Sequence, residues 1–325
     1  MKSRPFLRHF WTAVLALAGA AAPSFAQQPS TPSTPSSYRQ ETEEWRVLRE
    51  KRLKTDDGWL TVAGLFWLKQ GSNTLGADAS HAVALPPNSA PKDVGVFYLK
   101  GTDVSLAWSF TLNEPLLVNG ANVASESVTP DTPPLAIQSD EKGKPDEIRI
   151  NDLTLFVVKR GERYGIRLRD KNSEARKTFA GCKWYPVKEE YRIQAKYVLY
   201  DKPKTLLITN IIGDTEPKIS TGYAVFTLNG KEYRLEAQSE GNKLFFNFRD
   251  GTSDKSTYPA GRFLYADAPA DGTVTLDFNK AVNPPCAFTA FATCPLPPRS
   301  NWLTFPIEAG ELTHHPAELT SAYKR

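Results

Sequence analysis

From Asp57-Gly58 onward the chain is written in short runs of alternating apolar and polar residues, each cut off by Gly, Asn, Asp or Pro. That is the signature of half-buried β-strands. The runs are 59–68, 94–99, 104–108, 153–158, 163–169, 192–200, 205–212, 223–228, 233–237, 244–248 and 273–278. Asn229-Gly230 falls between two of them and predicts a type I′ hairpin, because both residues tolerate positive φ. No alternating βαβ pattern occurs, so the expected fold is mainly β: a β-sandwich followed by a second β-sandwich or barrel, with one N-terminal helix. That helix is expected over 38–54. Acids (Glu41, Glu43, Glu44) lead and bases (Arg46, Arg49, Lys51, Arg52, Lys54) follow, complementing the helix dipole, and Trp45, Leu48 and Leu53 form an apolar edge.

With 325 residues, 40% of them hydrophobic, the chain can bury a sizeable core in about two domains. Residues 1–26 combine Lys2, Arg4 and Arg8, an apolar run from Phe10 to Ala22 and a Ser24-Phe25-Ala26 cleavage pattern. This is the form of a signal peptide, and the run is shorter than the roughly 20 residues that span a bilayer. The expected location is periplasmic or secreted. Without those three basic residues the formal charge falls from +4 to +1, which argues against a nucleic-acid partner, and no later segment is apolar for long enough to span a membrane. Residues 27–37 read as a flexible Pro, Ser, Thr and Gln linker. A β domain is expected over 55–130, a proline- and glycine-interrupted boundary follows, and a C-terminal β domain is expected over 145–311 with a polar tail at 312–325.

The segment from Asp277 to Pro298 holds five prolines and two of the three cysteines, so its backbone has few conformations open to it. Cys286 and Cys294 flank a proline-rich turn and are expected to form a disulfide in an oxidising compartment; Cys182 reads as a core residue. The cysteine spacing fits no standard zinc site. Asp250 to Asp254 resembles a calcium loop with its glycine misplaced, so it reads as a tight turn. No metal or cofactor is implied. Catalytic motifs are missing as well: the sequence has no Gly-x-Ser-x-Gly, phosphate loop, zincin motif or dinucleotide fingerprint. Of four histidines, only His81 stands away from both ends, far in sequence from the proline-cysteine stretch.

Arginines supply the candidate chemistry. Arg160, Arg163, Arg167 and Arg169 surround a hairpin at Gly161-Glu162, with Arg163, Arg167 and Arg169 on one strand face. Arg167 and Arg169, followed by Asp170, could hold a carboxylate or phosphate. The alternative is a solvated face or an ion-pair network with Asp170, Asp250 and Asp277. Asp277 and Asn279 share one side of a strand, and Asn283 precedes Pro284. Together with Tyr258 and Arg262 they are expected to line a cleft closed by Trp302. Arg262→Ala or Asp277→Ala should then abolish ligand binding while leaving the melting temperature within a few degrees. Three readings are open: a secreted binder of a small anionic or polar ligand, a histidine-free hydrolase or lyase with Asp277 or Asp250 as base, and a structural periplasmic protein without a small ligand.

Two resemblances bear on these readings. Gly71 to Asp78, Val83 to Pro86 and Leu117 to Val123 have the spacing of forkhead-associated domains, small β-sandwiches that usually read phosphothreonine. Ala77 stands where that family has arginine, and Ser89-Ala90-Pro91-Lys92-Asp93 replaces its Ser-Arg-x-x-His, so the resemblance implies the fold without the phosphopeptide site. The stretch from Trp45 to Glu311 resembles the bacterial "domain of unknown function 1684" family. Trp59-Leu60 with Gly64 to Leu68, Gly165 to Asp170, Tyr258 with Gly261 to Leu264, and Asp277 to Cys294 carry that likeness, which implies no particular activity.

Overall fold

The structure, a computed structural model, describes residues 35–109, 115–123 and 131–314. The expected signal peptide, linker residues 27–34 and tail residues 315–325 lie outside the described residues. Helix α1 spans Pro35–Leu53. Tyr38, Thr42, Arg46 and Leu53 are buried along one side of it, while Leu48, expected on the apolar edge, is exposed.

Eleven strands build the first unit: β1 (Val62–Trp67), β2 (Gly71–Gly76), β3 (Val83–Ala84), β4 (Gly95–Lys100), β5 (Asp103–Trp108), β6 (Leu116–Val118), β7 (Ala121–Asn122), β8 (Leu135–Ile137), β9 (Ile148–Ile150), β10 (Leu153–Arg160) and β11 (Arg163–Asp170). They form a six-stranded sheet, β1-β11-β10-β9-β6-β7, and a five-stranded sheet, β3-β2-β4-β5-β8. The two bury one core between them that includes Phe97, Leu106, Leu116, Ile148, Leu155 and Ile166. The pairing runs past the boundary expected between 130 and 145. β8 pairs with β5, and β11 returns to β1 with Leu65 opposite Arg167. Prolines interrupt a chain locally, whereas a sheet is completed by strands distant in sequence, so the first unit extends to Asp170.

The second unit contains β12 (Arg192–Thr209), β13 (Thr215–Leu228), β14 (Lys231–Glu236), β15 (Gln238–Glu240), β16 (Lys243–Phe248), β17 (Arg262–Asp267) and β18 (Thr273–Asp277). Its sheets are β14-β13-β12-β18 and β15-β16-β17; no sheet among the described residues closes into a barrel. The runs expected at 192–200 and 205–212 are joined into one strand, with a register shift between Leu199 and Lys204. Pro203, which has no N–H for the ladder, sits in that shift. Asn229 and Gly230 have φ of 52° and 74° and connect β13 to β14, as their turn chemistry predicts.

β16 decides what surrounds the site. Its sequence Leu244-Phe245-Phe246-Asn247-Phe248 is buried at every position, so both faces of this sheet are covered. Leu244, Phe246 and Phe248 enter the core of the second unit. Phe245 faces the other way, into a third cluster with Leu53 of α1, Leu60, Phe263, Val282, Cys286, Phe288 and Cys294. That cluster is the junction between α1, the first unit and the proline-cysteine segment.

Candidate functional site

A cavity of about 660 Å³ opens at this junction, within the size range of small-molecule sites. Five parts of the chain wall it. α1 contributes Arg49, the first unit contributes Trp59, Arg160 and Arg167, and the β12–β13 hairpin contributes Ile208, Asn210, Glu216 and Lys218. β15 to β17 contribute Gln238, Ser239, Glu240, Phe245, Phe263 and Tyr265; the proline-cysteine segment contributes Val282, Asn283, Pro285, Thr293, Cys294 and Pro295. Hydrogen bonds pin these parts together. Thr289 Oγ1 donates to Val62 O at 2.9 Å, Ile211 N to Cys294 O at 2.8 Å and Leu296 N to Thr209 O at 2.8 Å.

The guanidinium groups differ in how they are partnered. Arg160 donates through Nη1 to Asp140 at 2.8 Å and through Nε to Thr293 Oγ1 at 2.9 Å. Arg49 donates to Asn283 O at 3.1 Å and lies 3.7 Å from Glu311. Arg167 is 4% exposed and, among the described residues, has no carboxylate within ion-pair distance. Its Nη2 makes two long contacts, 3.5 Å to Phe291 O and 3.4 Å to Thr293 Oγ1, and its Nε is buried without a partner. Trp59 lies under it, 5.5 Å from ring centroid to guanidinium carbon. Burial, followed by the nearby Arg160 charge, lowers the Arg167 pKa to about 10, so it remains a cation at neutral pH.

Behind Arg49, Glu311 is completely buried and accepts from Asn283 N at 3.1 Å and Asn283 Nδ2 at 3.0 Å. Burial raises its carboxyl above the ordinary value, with Arg49, Asn283 and Cys182 pulling the other way. Tyr265, another lining residue, is 44% exposed as a whole, while its phenol end is crowded enough that desolvation, followed by the Glu240 charge, raises its pKa.

Of the residues expected at a ligand site, Arg167 and Asn283 line the cavity; the others lie elsewhere. Arg169 packs its guanidinium over Phe156 at 4.9 Å. Asp170 caps a turn, accepting from Asn172 N at 2.7 Å. Asp250 and Arg262 form a fully buried ion pair, and Tyr258 donates to Cys286 O at 3.1 Å. Asp277 accepts from Tyr38 at 2.7 Å, and Asn279 donates to Lys188 O at 2.8 Å, so both fasten α1 and the 188 loop to the second unit. Trp302 is 39% exposed, stacked against Arg299 at 3.8 Å, and closes no cleft. With Asp250 tied to Arg262 and Asp277 to Tyr38, neither carboxylate stands at the cavity as a free base. Cys286 and Cys294 are free thiols rather than the expected disulfide, with Cys286 N donating to Cys294 Sγ at 3.1 Å. Among the described residues no His, Cys, Asp and Glu cluster has the arrangement of a metal site, and no helix is long and apolar enough to cross a membrane.

Sequence reasoning missed Arg49 as a lining residue. Its signal was present: it stands four residues after Trp45 and four before Leu53, on the side of α1 that packs inward. Residues 177–312 match the family described as protein of unknown function (DUF1684). The DUF1684 segment supplies the hairpin, the aromatic sheet and the proline-cysteine wall, while Arg49, Trp59, Arg160 and Arg167 come from the chain before it. Among solved structures, the chain is similar to an uncharacterized protein of Haloarcula marismortui determined by solution NMR, with 32% identity, coverage of 42% of this chain and 79% of that one, and a TM-score of 0.37. No curated protein matches the chain.

Proposed function

We propose that this is an exported protein whose junction cavity binds a small ligand through an anionic group held by Arg167. One observation carries the reading: a buried guanidinium that lines an open cavity and has no carboxylate partner among the described residues. Desolvating a cation without a counter-charge costs several kcal/mol in general, and a bound carboxylate or phosphate would offset that cost with charge-assisted hydrogen bonds. Arg160, Thr293 and Asn283 stand around the same space to orient the anion. The resemblance of residues 71–123 to forkhead-associated domains implies a scaffold here, since Ala77 and residues 89–93 lack the phosphothreonine-reading groups.

Export rests on the basic, apolar and small-residue pattern of residues 1–26. N-terminal sequencing of protein recovered from a periplasmic extract should read from Gln27; a start at Met1 would sink that part. For the cavity, wild type and Arg167→Ala purified in parallel are extracted with solvent and their small molecules weighed by mass spectrometry. An acidic compound retained by wild type and missing from the variant is expected, with both proteins folded by circular dichroism. Identical extracts containing no acidic compound would overturn the reading.

A further inference from the structure

The charges and apolar surfaces of the cavity narrow the class of ligand. Three of its four cations already have an acid: Arg49 has Glu311 at 3.7 Å, Arg160 has Asp140 at 2.8 Å and Lys218 has Glu216 at 3.0 Å. Arg167 is the one without a paired acid among the described residues, Asp140 acting on it only from beyond ion-pair distance, so one anionic group would complete its pairing. Glu240 is an exposed lining residue at the end of β15 and forms no ion pair among the described residues, although the Lys218 charge acts on it from farther off. A second anionic group on the ligand would meet that carboxylate in the same cavity.

Part of the cavity wall is aromatic. Phe245 and Phe263 meet edge to face at 4.8 Å, and Phe245 and Tyr265 lie 5.1 Å apart at 31°. Cross-strand pairing of Phe245 with Tyr265 sets both on the cavity side of the sheet. Ile208, Val282, Pro285 and Pro295 extend the apolar lining. A phosphate or acetate ion would leave this surface and most of the 660 Å³ unfilled.

Resting on the anion-site reading above, we infer that the ligand is an amphipathic monoanion: one acidic head on Arg167 and an apolar body along Phe245, Phe263 and Tyr265, with no second charge at its far end. Nucleotides and dicarboxylates are disfavoured by Glu240, and simple inorganic anions by the apolar wall.

Calorimetric titration of the mature protein with acetate, inorganic phosphate, octanoate, 3-phenylpropanoate and octanedioate tests this. Burying each methylene is worth roughly a fourfold gain in affinity, so octanoate should bind at least ~100-fold more tightly than acetate or phosphate even with part of its chain in solvent. Octanedioate should bind about tenfold more weakly than octanoate, and Glu240→Gln should narrow that gap. Tyr265→Ala, at a half-open position that folding tolerates, should weaken octanoate or 3-phenylpropanoate while leaving acetate unchanged; the stronger of the two tells a flexible body from a flat one. Acetate or phosphate binding as well as octanoate would overturn the inference and leave the anion site standing. Octanoate binding equally well to Arg167→Ala would overturn both.

Discussion

Arg262 Nη2 lies 2.7 Å from Asp250 Oδ2, and neither side chain is exposed. Arg262 also donates to Ile307 O at 3.0 Å and to Ala309 O, while Asp250 Oδ1 accepts from Thr252 N at 2.8 Å, Thr252 Oγ1 at 2.6 Å and Ile307 N at 3.2 Å. The pair thus clamps the C-terminal segment 305–309 onto β17. Gly261 makes the approach possible: its φ is 97°, and a Cβ there would lie 2.5 Å from Phe248 O. Arg262→Ala should therefore destabilise the protein by about 3–5 kcal/mol, because Asp250 is left as a buried, unpaired charge. Urea unfolding measures this. A midpoint equal to wild type would show that the clamp contributes nothing to stability.

The opposite outcome is expected at Arg167. Its buried charge has no paired carboxylate among the described residues, so Arg167→Met, similar in volume and apolar, should melt no lower than wild type while losing octanoate binding. The pH dependence has a definite sign. The guanidinium pKa, lowered to about 10, leaves the cation fully formed at neutral pH. Octanoate affinity should be level from about pH 6 to 8 and fall as the pH passes that lowered value, where the head group loses its counter-charge. Affinity that stays constant through this range would locate the anion on another residue.

How far the sequence carries depends on whether the deciding contact is local. Asn229-Gly230 specified its hairpin because the turn depends on the φ preferences of two adjacent residues. The closure of the first unit did not show, since β11 completes a sheet begun about a hundred residues earlier at β1, and no local pattern encodes that pairing. Arg167, Arg169 and Arg262 look alike as arginines on or beside strands. What separates them is what covers each one: a cavity, the Phe156 ring or Asp250. At 244–248 four of five residues are apolar, a density that fits a strand covered on both faces better than a half-buried one, and all five are buried.

Glu311 links the cavity to stability. Its carboxyl is raised by burial, so the folded state holds the proton more tightly than the unfolded chain. This stabilisation is complete below the ordinary carboxylate range near 4.5 and is lost as the pH rises through the folded-state value. Glu311→Gln keeps the shape and removes the titration. The melting temperature of wild type minus that of the variant should decline with rising pH across the acid range and then level off. A difference that grows with pH would mean that Arg49 at 3.7 Å outweighs burial.

The three cysteines give a direct reading of the junction. Burial raises the Cys182 and Cys294 thiols well above their ordinary range, with Glu311 adding to the shift at Cys182 and the neighbouring Cys286 at Cys294. Little thiolate therefore exists at neutral pH, and alkylation requires thiolate. Iodoacetamide should label Cys182 and Cys294 in the native protein far more slowly than in urea, even though Cys294 lines the cavity. In urea without reductant, intact-mass spectrometry should count three added groups, one for each free thiol. A single group would mean that Cys286 and Cys294 had been joined by oxidation, since only Cys182 would then remain to react. Loading the cavity with octanoate should slow labelling of Cys294 further and leave Cys182 unchanged, because only the former sulfur stands in the ligand's path.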